Sequence, residues 1–431
     1  MKPIIIALAL SCTLTAQAQT AREDIENNKY LCASNYIDYD RQLADQPLTP
    51  APKGYEPFYM SHYGRHGSRW LIGKTEYSRV VDVLRKADEQ GKLTAKGSEF
   101  YQQLRLFVPS TIKRHGDLTT VGERQHHGIG RRMVANFPEI FKRKNVPIDA
   151  RSTVVPRCIL SMMAECEELS AANPSARIHN DVSESLQYYL NQPKEGLVKE
   201  KAEAGRDFRH KYNRDYRERH IDTRRFMQQL FSDMQWVADS LKAQDVMNDV
   251  FQVASNMQSH DNAPDLLSLF TTDELYLQWR LRNVGWYVDY GAAPVTGGIM
   301  PFSQKNLLRN IIETADTVTQ VQATLRFGHE VCVMPLACLL ELDQCGARVE
   351  NLDTLDHVWR NYRIFPMACN IQLVFYRPKK GKSGDILVKA LLNEREATLP
   401  VQPVQGPYYR WADLRQYYLE KLRNFEQQDQ N

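Results

Sequence analysis

Apolar runs alternate with amphipathic stretches along most of this chain. "EPFYMSHYG" is aromatic and apolar and follows Pro52 and Gly54, which predicts a strand. "TEYSRVVDVLRKADEQGKL" has helical periodicity. "LTTVGERQHHGIGRRMVANFPEIF" also reads as helix, with Thr119 or Thr120 as N-cap and Glu123 in the first turn. "NVPIDARSTV" predicts a strand, and Pro156 then opens a helix through "RCILSMMAECEELSAAN". "SARIHNDVS" and "VQATLRFGHE" are further strands, the second running straight into a buried helix, "VCVMPLACLLEL". "NIQLVFYRPKKGKSGDILVKALLNE" predicts a β-hairpin around a Lys/Gly loop, and "WADLRQYYLEKLRNFEQQ" a closing amphipathic helix. Strands separated by helices predict an α/β fold with a mostly parallel sheet flanked by helices. From about 184 to 290 the pattern is almost purely helical and strongly charged. This predicts a mainly α-helical cap, residues 184–290, inserted into an α/β domain of residues 19–183 and 291–431.

The chain has 431 residues, enough for a sizeable core and two or more domains. Its formal charge of +3 is near balance, so no global field points to nucleic acid or a membrane. Any attraction for an anionic small molecule must be local. The opening "MKPIIIALALSCTLTAQAQT" has the anatomy of a cleavable signal peptide, residues 1–18, with the cut after Ala18. An exported protein, periplasmic or secreted, is expected. The apolar run is too short to span a bilayer, no later apolar stretch reaches about 18 residues, and the residues before Cys12 fit a lipid-attachment site poorly. Of eight cysteines, seven remain without Cys12: Cys32, Cys158, Cys166, Cys332, Cys338, Cys345 and Cys369. Their odd number and irregular spacing predict no disulfide framework. With no CxxC pair and no His cluster at zinc spacing, neither a metal site nor a cofactor is expected.

The triplet Arg-His-Gly occurs twice. In "PFYMSHYGRHGSRW" it follows an apolar strand directly, which puts His66 on the loop at a strand's carboxyl end, where α/β sheets bind ligands. Gly64 and Gly67 leave room for the backbone to bend and for a ligand to approach. Arg65 and Arg69 lie on either side of the histidine, and guanidinium groups hold phosphate oxygens bidentately. A neutral imidazole between them can attack phosphorus in line and form a phosphohistidine that water hydrolyses. The second triplet, Arg114-His115-Gly116, follows a polar stretch and lacks an arginine at plus three, so it reads as a loop before a helix.

"YGRHGSR" resembles the signature of the histidine phosphatase superfamily, in its acid phosphatase and phytase branch. "GDLTTVGERQHHGIGRRM", "STVVPRCILSMMAECEEL" and "LRFGHEVCVMPL" are similar, in order, to further segments of that branch. "LFTTDELYLQWRLRNVGWYVDYG" looks like the multiple inositol polyphosphate phosphatases. The resemblance runs from about Tyr55 to Glu394. It implies a phosphoglycerate-mutase-like domain with a helical cap, and a metal-independent phosphomonoesterase acting on phytate through phosphorylated His66. It implies Arg157 as a third phosphate-binding arginine beside Arg65 and Arg69, His329 as a hydrogen-bond donor to a phosphoryl oxygen, and Glu330 as general acid. Arg157 also lies just inside a predicted helix start, where the dipole favours an anion. The chain departs from the family at one point. Related phytases carry Asp directly after the second histidine and the inositol polyphosphatases carry His-Ala-Glu, whereas here Glu330 stands at plus one.

Two other readings remain at this point: a broad acid phosphatase on sugar phosphates or nucleotides, and a phosphate-binding protein on the same fold without catalysis. Basic residues crowd the segment holding Lys199, Lys201, Arg206, Arg209, Lys211, Arg214 and Arg217. These either contact peripheral phosphates or form a solvated helix with pairs such as Asp207–Lys211 and Asp215–Arg219. "FTTDELYLQWRLRNVGWYVDYG" reads physically as an amphipathic core helix.

Overall fold

The computed structural model describes residues 19–42, 47–317 and 321–430. The leader, residues 1–18 with Cys12, lies outside the described residues. Eight strands form one sheet: β1 (Tyr55–Arg65), β2 (Pro147–Ser152), β3 (Arg177–Asp181), β4 (Ala323–Gly328), β5 (Asn370–Pro378), β6 (Leu387–Leu392), β7 (Arg395–Ala397) and β8 (Tyr409–Arg410). Their order is β3-β2-β4-β1-β5-β6-β7, with β8 on β6. The longer helices are α1 (Glu76–Glu89), α2 (Ala95–Phe107), α3 (Thr120–Asn136), α4 (Pro156–Ala172), α5 (Gly196–His220), α6 (Ala243–Asn256), α7 (Thr272–Tyr290), α8 (Lys305–Asp316), α9 (Glu330–Leu340) and α10 (Trp411–Gln430).

The α/β architecture matches the expectation; the proportion of parallel pairing is corrected. From β3 to β1 every pairing is parallel, and from β1 onward every pairing is antiparallel. The cause is local. Parallel neighbours need a long crossover, which helices supply in the first half. β5 and β6 are instead joined by a hairpin, and β6 turns into β7 through Asn393-Glu394, both at positive φ as a tight hairpin turn requires.

Side chains alternate across the sheet. On β5, Ile371, Leu373 and Phe375 join the core beneath α8, α9 and α10, while Val374 and Tyr376 join the core beneath α3 and α4. A further core is almost entirely helical. It draws on Ala21 and Ile25, on α1 and α2, on α6, and on Leu275 and Trp279 of α7. Farther along α7, Val284, Tyr287 and Val288 enter the sheet core, so this helix ties the two layers together. Its start is fixed by a reciprocal capping box of Thr271 and Glu274, a device whose loss costs about 1 kcal/mol. All seven cysteines among the described residues are buried and unpaired. No helix among those residues is long and apolar enough to cross a membrane.

Candidate active site

β1 and β4 run side by side and end together, with Arg65 opposite Gly328. The His66 backbone N–H donates to the Gly328 carbonyl at 2.9 Å. His66 and His329 thus leave adjacent strand ends, their ring centroids 5.6 Å apart. His66 Nδ1 lies 2.8 Å from the Gly67 carbonyl, which only accepts, so Nδ1 carries the proton and Nε2 keeps its lone pair. Nε2 is buried and has no hydrogen-bond partner. Burial, then Arg65, Arg157, Arg69 and His329, hold this imidazole far below its ordinary pKa, so it is neutral.

The loop that carries His66 is clamped from below. Gly67 N–H donates to Ser161 Oγ at 3.0 Å and Ser68 N–H to Gln125 Oε1 at 2.9 Å. Thr119 caps α3, and Gly122 in its first turn lies directly against the loop: a Cβ on Gly67 would stand 2.3 Å from the Gly122 carbonyl oxygen. A Cβ on Gly64 would meet the His62 ring at 2.7 Å. The room expected for a ligand at these glycines is therefore filled by protein; they permit close packing instead.

The six residues singled out in the sequence cluster around one point. Arg65 is fully buried, and its Nη1 donates to the carbonyls of Asn35 at 2.6 Å and Pro366 at 3.1 Å. Its Nη2 lies 3.0 Å from Glu330 Oε1, close enough for strong attraction though not aligned as a hydrogen bond. Glu330 Oε1 is 4.0 Å from Arg69 Nη2, and Glu330 Oε2 is 3.7 Å from His66 Nε2. Arg157 reaches in from the start of α4, its Nη1 3.4 Å from the Gly116 carbonyl. The Nε atoms of Arg65, Arg69 and Arg157 are buried without partners. Buried donors are normally satisfied, so this cluster is built for an acceptor-rich guest.

Charge agrees. Burial alone would raise the Glu330 carboxyl, but Arg65, Arg69 and His329 outweigh it and hold it at about 2. Burial lowers His329 to about 4. At neutral pH three guanidinium groups face one carboxylate, leaving two positive charges for a dianion. His66, His329 and Glu330 also have donor atoms within 4.8 Å of one another, the spacing of a metal site. A cation does not suit them, because the three arginines already give the site excess positive charge and Glu330 is paired with one of them.

Other residues completing the site had no mark in the sequence. Asn35 Nδ2 donates to Glu330 Oε1 at 3.2 Å, and its carbonyl holds Arg65. Thr153 Oγ1 is 3.4 Å from His329 Nε2. His126 Nε2 donates to the Arg65 carbonyl at 3.1 Å, while its Nδ1 lies 3.1 Å from Glu165, whose carboxyl pKa burial raises. The one available signal was spacing: Gly122, His126, Ile129 and Met133 share the buried face of α3. The second triplet contributes its Gly116 carbonyl to Arg157, and Arg114 pairs with Asp117 at 3.0 Å.

A model of the histidine phosphatase superfamily (branch 2) matches residues 64–393. This chain belongs to that superfamily. The phosphatase resembles three solved structures at low identity. The Bifidobacterium longum multiple inositol polyphosphate phosphatase, in complex with inositol hexasulfate, is 18% identical at a TM-score of 0.68, over 90% of this chain and 97% of that one. The phytase from D. castellii is 14% identical with a TM-score of 0.65, over 91% and 85%. The Hafnia alvei phytase is 11% identical with a TM-score of 0.52, over 86% and 98%. The phosphatase has no significant match among curated protein sequences.

Proposed function

We propose that this phosphatase is exported and hydrolyses inositol polyphosphates, phytate foremost, through a phosphohistidine on His66. The observation that carries this is the neutral, unpartnered Nε2 of His66 beside three buried arginines and Glu330. The transferred phosphoryl group docks on Arg65, Arg69 and Arg157, and His329 donates a hydrogen bond to one of its oxygens. Nε2 attacks phosphorus; the P–N bond forms as the P–O bond to the ring breaks. The arginines offset the charge on the equatorial oxygens. Glu330 protonates the departing alkoxide. Water then attacks phosphorus, Glu330 takes its proton, and the P–N bond breaks to release phosphate.

A general acid held at about 2 must gain its proton during the cycle. In the free protein the Glu330 carboxylate lies against the very guanidinium groups that the substrate needs. The incoming dianion displaces it, removing its partners and adding a negative neighbour. Both changes raise its pKa, so binding and proton uptake occur together. The phytate reading is further supported by the Bifidobacterium enzyme, which is described with an inositol hexasulfate. Rates on phytate, fructose bisphosphate and p-nitrophenyl phosphate test it. Selective phytate hydrolysis is expected; similar rates on all three would favour a broad acid phosphatase.

A further inference from the structure

α5 and α7 face each other across a cleft of about 320 Å³. Each helix lines it with residues four apart, the spacing of one helical face: Arg209, Asn213 and Arg217 from α5, and Arg282, Trp286 and Tyr290 from α7. α7, read from the sequence as an amphipathic core helix, lines this cleft with its other face. Trp279, Val284 and Tyr287 are buried in the core, while the Arg282 face is left half-buried at the cleft.

The cations here are not equally compensated. Arg209 is paired with Asp289 at 2.9 Å. The helix pairs expected from spacing do not form in the way foreseen, for Arg219 donates to the Asp215 carbonyl rather than its carboxylate. Arg282 donates to Ser255 Oγ at 3.0 Å and Gln252 Oε1 at 2.7 Å, both neutral. Arg217 feels Asp245 only at a distance, and its Nε is buried without a partner, as is Asn213 Oδ1. Two half-buried guanidinium groups thus share one cleft with no ion-pair partner among the described residues. Most arginines of this chain pair with carboxylates, so these two mark a place for an anion.

The cleft adjoins the reaction site at two points. Gln252, which accepts from Arg282, also donates to the Tyr36 hydroxyl at 3.1 Å, and the Arg69 guanidinium lies 5.3 Å from the Tyr36 ring. The Trp286 ring is 4.8 Å from that of Phe365, whose carbonyl accepts from Arg65 Nη1 at 3.4 Å. Gln252 and Tyr36 thus link Arg282 to Arg69, and Phe365 links the Trp286 face of the cleft to Arg65.

We propose that Arg217 and Arg282 form a second anion subsite, which binds a phosphate of the substrate other than the one transferred. It rests on the reading of the substrate as a polyphosphate and makes two phosphates on one molecule the feature selected. Calorimetry on the His66→Ala protein tests it without turnover, with inositol hexakisphosphate and inorganic phosphate as probes. Arg217→Gln, at a half-exposed helical position, should weaken hexakisphosphate binding by about tenfold or more and leave inorganic phosphate within about twofold. Arg282→Lys, which keeps the charge but loses the planar fork, should act in the same direction. Equal losses for both probes, or no loss for either, would overturn the subsite. If the wild-type enzyme fails to hydrolyse phytate while the variants still lose hexakisphosphate selectively, the substrate reading falls and the subsite stands.

Discussion

The Glu330 carboxylate is cradled by Asn35, Arg65 and Arg69, and the two arginines are those proposed to hold the transferred phosphoryl group. Two outcomes follow for Glu330→Gln. On the proposed mechanism the change removes an internal competitor and the proton donor together, so binding and chemistry should move in opposite directions. Turnover of phytate should fall by about 10²–10⁴-fold, the usual weight of a general acid. Turnover of p-nitrophenyl phosphate should fall far less, because its leaving group needs little protonation. Sulfate does not titrate at about pH 5, so any proton taken up on its binding is the protein's. Calorimetry in buffers of different ionisation enthalpy should find uptake in the wild type and its loss, with tighter sulfate binding, in the variant. Equal losses on both substrates would mean that another residue donates the proton. At this scale the sequence was informative where chemistry clusters locally: Arg65, His66 and Arg69 lie in one short loop. Asn35 was invisible because it comes from a distant segment and its residue type carries no mark of the role.

Helix packing holds the loop that carries His66. Gly67 and Gly122 touch, and a Cβ on Gly122 would lie 2.3 Å from the Ser68 carbonyl oxygen, a backbone atom that cannot step aside. Gly122→Ala should therefore cost about 1–3 kcal/mol as overpacking and lower kcat as the His66 loop shifts. Gly128→Ala on the same helix is the control. Its Cβ would meet only the far end of the Arg132 side chain, so thermal unfolding should be unchanged or slightly raised. If both variants behave alike, close packing at Gly122 does not hold the loop. Strand and helix positions were legible because β1, β4 and α9 are long apolar runs with clear breaks. The β5–β6 hairpin was legible too, but the direction of β5 beside β1 was not, since a run such as "NIQLVFYRP" looks the same beside a parallel or an antiparallel neighbour. Nor was the cleft face of α7, because Trp286 and Tyr290 look apolar in a periodic pattern whether they meet core or cleft.

Over the whole molecule, buried neutral histidines set the response to acid. Burial lowers His62 to about 3 and His260 and His329 to about 4, all from an ordinary 6.5, and it holds His66 well below that value too. As pH falls below 6.5 the unfolded chain binds these protons and the folded chain does not. Stability should therefore drop between about pH 6.5 and 4, by up to about 1.4 kcal/mol per pH unit for each such histidine. Glu330 adds to this only lower, as pH falls from its ordinary 4.5 toward about 2. Thermal unfolding across that range should show the decline; a flat or rising profile would mean that these histidines are already protonated in the fold. The proposed reaction depends on one covalent bond. Rapid mixing of the phosphatase with labelled substrate, quenched in alkali and mapped by mass spectrometry, should place the phosphoryl group on Nε2 of His66, and His66→Ala should retain none. Label on His329 or His115, or full turnover by His66→Ala, would contradict it.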